Sequence, residues 1–315
     1  MILSASGWRK VFAASGNEQD KNKEITEESK AISIVAGAVF FEYIKELTNQ
    51  ENPVIAVGMD TRPTGEAIVE GILKSLVSKG AIVQYCGVTS APEIMSFAKK
   101  LDGFIYVSAS HNPIGHNGIK FGINDGGVLS AKENAKIIQK FNTIIDDDSL
   151  LNEYIKKANS CSSSELKTVY QTKDSSKFNA LNSYRDFAKE TITGTNNKEY
   201  QADFFGILHN YIAENPIGVV CDFNGSSRYQ SIDRDFFKEN NINFYTINEF
   251  EISHEIIPEA ENLCYVQQEM ERLQKEGFKD AVLGYMPDCD GDRGNIVYWD
   301  ENQQKSIILK AQEVF

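Results

Sequence analysis

Gly103-Phe-Ile-Tyr-Val-Ser-Ala-Ser-His-Asn-Pro113, with Asn117-Gly-Ile-Lys120 just behind it, decides how this chain is read. Gly103–Val107 is apolar and short, as a buried strand is. The run stops at small and polar residues, and Pro113, Gly115 and Gly118 force a loop. The hydroxyl of Ser110, the imidazole of His111 and the amide of Asn112 therefore stand at the carboxyl end of a strand. That is the edge at which open α/β sheets bind ligands. An ordinary strand exit uses the same turn residues, so this stretch alone leaves both readings open.

The flanking sequence has the same rhythm. Ile32, Val35, Ala36, Val39, Phe40, Tyr43, Ile44 and Leu47 recur at helical spacing after Thr26, a good N-cap, with Glu27 and Glu28 at the positive end of the helix dipole. Pro53–Gly58 is a second buried strand, a helix follows over 63–79, and Gly80 stops it. Residues 81–86 are a third strand, and Pro92 opens a short helix. Gly118–Gly122 is a return strand whose alternation puts Ile119 and Phe121 on one face and Lys120 on the other, free to point toward the Ser110 loop or to solvent. A helix spans 131–145. The acidic triplet Asp146–Asp148 reads as a solvated helix end, and the Ser/Lys/Asn-rich stretch 157–178 as a polar connection between domains. Strands alternating with helices give an α/β fold with sheets covered on both faces.

The second half repeats this plan more faintly. Helices over 179–192 and 200–213 precede the strand Ile217–Cys221, which ends in Asp222 and a turn, as Val54–Gly58 leads to Asp60. A helix to about 239, a strand near 243–247, an acidic irregular stretch over 248–262 and a helix near 264–276 lead to the strand Ala281–Tyr285. At its end stands Asp288-Cys-Asp-Gly-Asp-Arg293. Three carboxylates at alternate positions aim to one side, where their repulsion calls for a cation, and hard oxygen donors suit Mg²⁺, Ca²⁺ or Mn²⁺. An EF-hand loop would place its turn glycine at Arg293 and its closing glutamate at Trp299, so it is excluded; an acidic turn is the remaining alternative. Arg293 is either a partner of these acids or faces an anion. Asn295–Trp299 continues as a strand, and Ile307–Phe315 reads as the start of a helix.

Composition narrows the class. At 315 residues the chain has room for about two domains. A net charge of −13 argues against nucleic acid, whose phosphates need a basic face, but not against a small anion held by a local cluster. No stretch reads as a membrane span or a secretory leader. The odd count of five scattered cysteines fits a reducing cytoplasm better than a disulfide framework, and no Cys/His cluster suggests zinc.

Together the motifs resemble those of the α-D-phosphohexomutases, the phosphoglucomutase and phosphomannomutase family. Ser6-Gly-Trp-Arg9 is similar to the family's Ser-Gly-x-Arg, and Gly58-Met-Asp-Thr-Arg62 to its Gly-x-Asp-x-Arg turn. Ala109–Pro113 with Asn117–Lys120 resembles the Thr-Ala-Ser-His-Asn-Pro loop, and Asp288–Arg293 the Asp-Gly-Asp-Gly-Asp-Arg metal loop. The resemblance implies two tandem three-layer α/β/α domains with mixed sheets. Residues 1–165 would be domain I, 179–303 domain II, and 304–315 the start of a truncated third domain. It implies a phosphohexomutase that interconverts hexose 1-phosphate and hexose 6-phosphate, of glucose and/or mannose, through a phosphoserine and a bisphosphorylated sugar. Ser110 would carry the phosphoryl group. Mg²⁺ would be held by Asp288, Asp290, Asp292 and a phosphate oxygen on Ser110. Lys120 would be the general acid/base assisted by His111, and Arg9 and Arg293 would steady the phosphoryl group. Hexose 1,6-bisphosphate would be activator and intermediate, a phosphorylated hexose the substrate, and the cytoplasm the compartment.

Three departures stand out. Ser108 replaces a threonine, and Cys289 replaces a glycine, which requires a backbone that tolerates a side chain. The sugar-binding and C-terminal phosphate-binding loops of the four-domain family are absent, so the resemblance implies an incomplete N-terminal part with poor turnover alone. Arg62-Pro-Thr-Gly-Glu66 looks like the phosphate-binding loop but follows a domain I strand, and that role is not carried over. A non-catalytic sugar-phosphate- or metal-binding short form and a Mg²⁺-dependent phosphatase are the alternatives. A serine hydrolase is disfavoured, because no G-x-S-x-G elbow is present and His111 adjoins Ser110 in sequence.

Overall fold

The computed structural model describes residues 1–5 and 7–313; Ser6, the first residue of the Ser-Gly-Trp-Arg motif, and Val314 and Phe315 lie outside the described residues. The chain divides into two compact units, Met1–Ser183 and Tyr184–Phe315.

In the first unit, β1 (Ile2–Ser4) and β2 (Gly7–Val11) pair antiparallel and precede α1 (Glu27–Thr48). Thr26 caps this helix by accepting from the Ser29 amide at 3.2 Å. Then β3 (Val54–Met59), α2 (Gly65–Ser78), β4 (Ile82–Val88), α3 (Ala91–Ala98) and β5 (Gly103–Val107) alternate. β6 (His116–Ile123) returns antiparallel to β5, and α4 (Ala131–Ile145) follows. The sheet order is β1-β2-β6-β5-β3-β4, parallel among β5, β3 and β4 and antiparallel elsewhere. Its strands are continuous apolar runs because both faces are buried. Ile55, Val57, Ile105 and Val107 pack into the core under α1, α2 and α4, while Ala56, Phe104 and Tyr106 turn to the opposite face under α3. This is a three-layer α/β/α arrangement.

The stretch read as a polar connection is helical: α5 (Asp148–Asn159), α6 (Ser163–Gln171) and α7 (Lys173–Thr193) follow α4 almost without pause. Asp147 caps α5 through the amides of Ser149 and Leu150, and Ser162 forms a capping box with Glu165. The first half of α7 is fastened to the first unit by Lys177–Glu93 at 2.6 Å and by Ser176 Oγ donating to Gln84 Oε1 at 3.0 Å.

The second unit continues with α8 (Lys198–Glu214), β7 (Gly218–Asp222), α9 (Asp233–Glu239), β8 (Asn243–Ile247), α10 (Cys264–Glu276), β9 (Ala281–Pro287), β10 (Gly294–Asp300) and β11 (Lys305–Ile308). The sheet order is β11-β10-β9-β7-β8. One face packs Val220, Met286 and Val297 against Val266, Met270 and Leu273 of α10. The other carries Phe244 and Tyr285, which meet Phe237 of α9. The helix expected from Ile307 is a strand at its start. Ile307 and Ile308 pair with Tyr298 and Val297, and Ser306 exchanges hydrogen bonds with Gln267 of α10, so pairing with a sheet edge outweighs helical propensity there.

The two sheets share one plan. β7 lies between parallel neighbours β8 and β9 as β3 lies between β4 and β5, and β10 returns beside β9 as β6 does beside β5. The Ser110 loop (β5 to β6) and the Asp288 loop (β9 to β10) are thus equivalent connections at equivalent strand ends.

Candidate active site

Ser110 sits immediately past β5 with φ 56°, a left-handed conformation uncommon outside glycine, and its side chain is buried. Its amide donates to Ser108 Oγ at 2.9 Å, and the Ser108 amide donates to the Gly118 carbonyl at 2.9 Å. Ser108 therefore does, as a hydroxyl acceptor, what the family's threonine hydroxyl can do. Asn112 closes the turn by donating from its side chain to the Ala109 carbonyl at 2.8 Å. Ser110 Oγ is 3.4 Å from His111 Nδ1.

A residue the sequence reading left without a role holds this loop. Arg62 is 2% exposed, and its guanidinium donates to the carbonyls of Ser110 at 2.7 Å, Asn112 at 2.5 Å, Pro113 at 2.6 Å and His116 at 3.1 Å. Its Nε lies 3.3 Å from Asp60 Oδ2, and Asp60 Oδ1 accepts from the Arg62 amide. A planar fork of donors suits several carbonyls at once. The signal was a basic residue two positions after the acid that ends a buried strand, but only the fold shows what it reaches.

β6 brings Lys120 opposite Tyr106 and Gly118 opposite Arg9 of β2. Lys120 is not the solvent-facing side chain that alternation allowed. It is 9% exposed, and its Nζ lies 5.8 Å from the Tyr106 ring. A Cβ on Gly7 would lie 3.2 Å from Lys120 Cγ and 3.8 Å from Arg9 Nε, so both side chains flank the same glycine. Gly118 has no room for a side chain: a Cβ there would be 2.7 Å from the Ser108 carbonyl and 3.0 Å from that of Trp8. The first unit thus gathers Arg9, Ser110, His111 and Lys120 around β6 and the loop before it.

In the second unit, Asp288, Asp290 and Asp292 each offer a carboxylate oxygen, and these lie within 4.8 Å of one another. Asp288 and Asp290 are fully buried. Asp288 Oδ1 accepts from the amides of Gly291 at 3.1 Å and Arg293 at 3.3 Å, which curls the loop. Arg293 Nε is 3.9 Å from Asp292 Oδ1. Cys289 is buried and is not among the described residues with positive φ, so its Cβ is accommodated where the family has glycine. Three buried or half-buried carboxylates this close fit a hard divalent cation.

This loop too is held by the turn after the central strand. Ser226 Oγ donates to the Asp288 carbonyl at 2.6 Å, the Ser227 amide to that of Cys289 at 2.9 Å, and Arg228 Nη1 to that of Gly291 at 3.3 Å. Burial disfavours the Arg228 charge, but the paired Asp233 carboxylate, 2.6 and 2.8 Å away, outweighs it and keeps the guanidinium charged. Burial likewise pushes the Tyr285 hydroxyl well above its ordinary range, so it stays a donor to Asp233 at 2.7 Å. In each unit, therefore, a turn after the middle strand grips the carbonyls of the loop after its parallel neighbour.

Residues 9–148 match the model of the phosphoglucomutase/phosphomannomutase alpha/beta/alpha domain I. The phosphoglucosamine mutase of Staphylococcus carnosus is 34% identical over 130 residues, 41% of this chain and 28% of that protein. That of Bacillus cereus is 33% identical over 141 residues, 44% and 30% respectively. Among solved structures, a phosphoglucomutase/phosphomannomutase family protein from Burkholderia thailandensis superposes over 98% of this chain and 55% of its own, with a TM-score of 0.58 and 17% identity. Parafusin, a phosphoglucomutase from Paramecium, superposes over 97% and 53%, with a TM-score of 0.56 and 14% identity. The chain thus spans about half the length of these structures, which it resembles in fold. Among the described residues no helix is long and apolar enough to cross a membrane. Through its first domain, and with that fold along its length, the chain belongs to the α-D-phosphohexomutase family.

Proposed function

We propose that this chain takes part in moving a phosphoryl group between O1 and O6 of a hexose phosphate, with Ser110 as the covalent carrier. Ser110 Oγ accepts a phosphoryl group from a hexose 1,6-bisphosphate and releases a hexose monophosphate. It returns the group to the other hydroxyl of the next sugar. Lys120 takes the proton of the attacking sugar hydroxyl and gives one to the leaving oxygen, with His111 beside Ser110 Oγ assisting. Arg9 and Arg293 steady the phosphoryl oxygens. Asp288, Asp290 and Asp292 would hold Mg²⁺, which when bound supplies charge neutralisation for a phosphoryl oxygen. Residues 1–165 and 179–303 are assigned to the family's domains I and II, and residues 304–315 to the opening of a third. Glucose and mannose are the proposed sugars; the relatives' name adds glucosamine.

The observation that supports this reading best is the built conformation of the Ser110 loop. A serine in a left-handed conformation is costly, and it persists here because a buried arginine holds four surrounding carbonyls. Phosphoryl transfer needs mainly fixed positions and fixed charges. The test is a single-turnover experiment with Mg²⁺ and the 1,6-bisphosphate of glucose, mannose or glucosamine. Release of one hexose monophosphate per chain, dependent on Mg²⁺, is expected from at least one of them. Release of inorganic phosphate instead would replace the proposal with a phosphatase, and no release from any would reject it.

A further inference from the structure

His254 lies in the acidic, irregular stretch between β8 and α10, which the reaction does not use. Its ring is nonetheless built in. Nε2 donates to Asp222 Oδ2 at 2.8 Å, Nδ1 faces the Glu255 carbonyl at 3.0 Å, and the ring stacks on Tyr265 with centroids 4.1 Å apart and planes 12° from parallel. The side chains of His254 and Asp222 are 6% and 0% exposed. The other oxygen of Asp222 accepts from the Asn224 amide at 3.0 Å and from Asn248 Nδ2 at 3.1 Å. Asn224, at φ 40°, in turn accepts from the amides of Ser253 and His254 and donates to the carbonyls of His254 and Glu255.

These bonds fix the turn Asp222–Arg228 from the side away from the carboxylates. The same turn, through Ser226, Ser227 and Arg228, grips three carbonyls of the Asp288 loop. We propose that His254 is a positioning residue for the metal loop: its bond to Asp222 sets the turn that sets the spacing of Asp288, Asp290 and Asp292. The inference rests on the proposed metal site. Its physical basis is that groups orienting a metal's ligands through hydrogen bonds govern affinity nearly as the ligands do. A loop held at three carbonyls loses that hold only when the turn beneath it shifts.

The test is Mn²⁺ titration of the whole chain, followed by the paramagnetic resonance of the free ion, with thermal unfolding recorded in parallel. His254→Ala is expected to weaken Mn²⁺ binding roughly tenfold, the lower end for outer groups around metal ligands. His254→Gln, whose amide can still donate to Asp222, is expected to recover most of that loss. Should the alanine variant unfold, the glutamine variant is compared with His254→Asn, which is too short to reach and is expected to bind weakly. Folded variants that all bind within twofold of the wild type would overturn the inference and leave the metal site standing. No binding by the wild-type chain would overturn the metal site itself, and the inference with it.

Discussion

Arg62→Lys is the substitution through which the Ser110 loop can be tested most sharply. The arginine is one side chain serving five partners: four carbonyls at 2.5–3.1 Å and the Asp60 carboxylate at 3.3 Å. Lysine keeps the charge but brings three donors from a single point, so it cannot span carbonyls spread from Ser110 to His116. At least two carbonyls lose their donor. Each charge-assisted hydrogen bond contributes about 1.5–3 kcal/mol, so the net cost is about 3 kcal/mol. Because Ser110 is held at φ 56°, an unfavourable value for a side-chain-bearing residue, the loop should relax locally before the unit unfolds. Amide hydrogen exchange reads this directly. The Ser110 amide, bound to Ser108 Oγ, and the His116 amide, bound to the Pro113 carbonyl, should exchange about a hundredfold faster in the variant. Strand amides of β3 and β4 should change far less. If the loop amides keep wild-type exchange rates in a folded Arg62→Lys protein, the clamp is not what holds Ser110.

Two further outcomes follow from the packing of the first unit. Glu42 on α1 receives Lys79 at 2.6 Å, Lys140, and the Tyr154 hydroxyl at 3.0 Å, tying three other helices to it. Burial raises its pKa, but the two lysines outweigh burial and leave it below the ordinary value. A carboxyl depressed in the folded state adds stability above its unfolded pKa and loses it as pH falls through the folded value. Glu42→Gln should therefore cost about 1 kcal/mol at neutral pH in urea unfolding, with the gap to wild type closing below about pH 4. Gly118→Ala would drive a Cβ to 2.7 Å from the Ser108 carbonyl. A lower urea midpoint worth about 1–3 kcal/mol should accompany faster exchange of the Ser108 amide, and an unchanged midpoint would contradict the close approach.

Much of this was legible because strong local signals agreed with the fold. The apolar runs at 54–59 and 103–107 are strands because both sheet faces are covered, and Thr26 is the cap its position suggested. The helices α5 and α6 were not legible from apolar periodicity, because they bury almost nothing: Ala158 in α5 and no residue in α6. The usable sign there was the capping pattern Ser162-x-x-Glu165. At the site, residue types placed Ser110, His111 and the three aspartates on loops, since chemistry concentrates at such strand ends. The supports escaped notice for a physical reason. Arg62 and Ser226 act on backbone carbonyls about fifty and sixty residues away, and a carbonyl leaves no mark in the sequence. Lys120 was misjudged because alternation tells which face a side chain takes, not whether that face is covered.

The central claim is that Ser110 carries the phosphoryl group. Its most direct measurement is peptide mass mapping of the whole chain after incubation with Mg²⁺ and hexose 1,6-bisphosphate, beside a Ser110→Ala control. The expected result is one added phosphoryl group (HPO3) on the peptide containing Ser110 and none anywhere in the control. A phosphoryl group on another residue, or an equal gain in the control, would contradict the account.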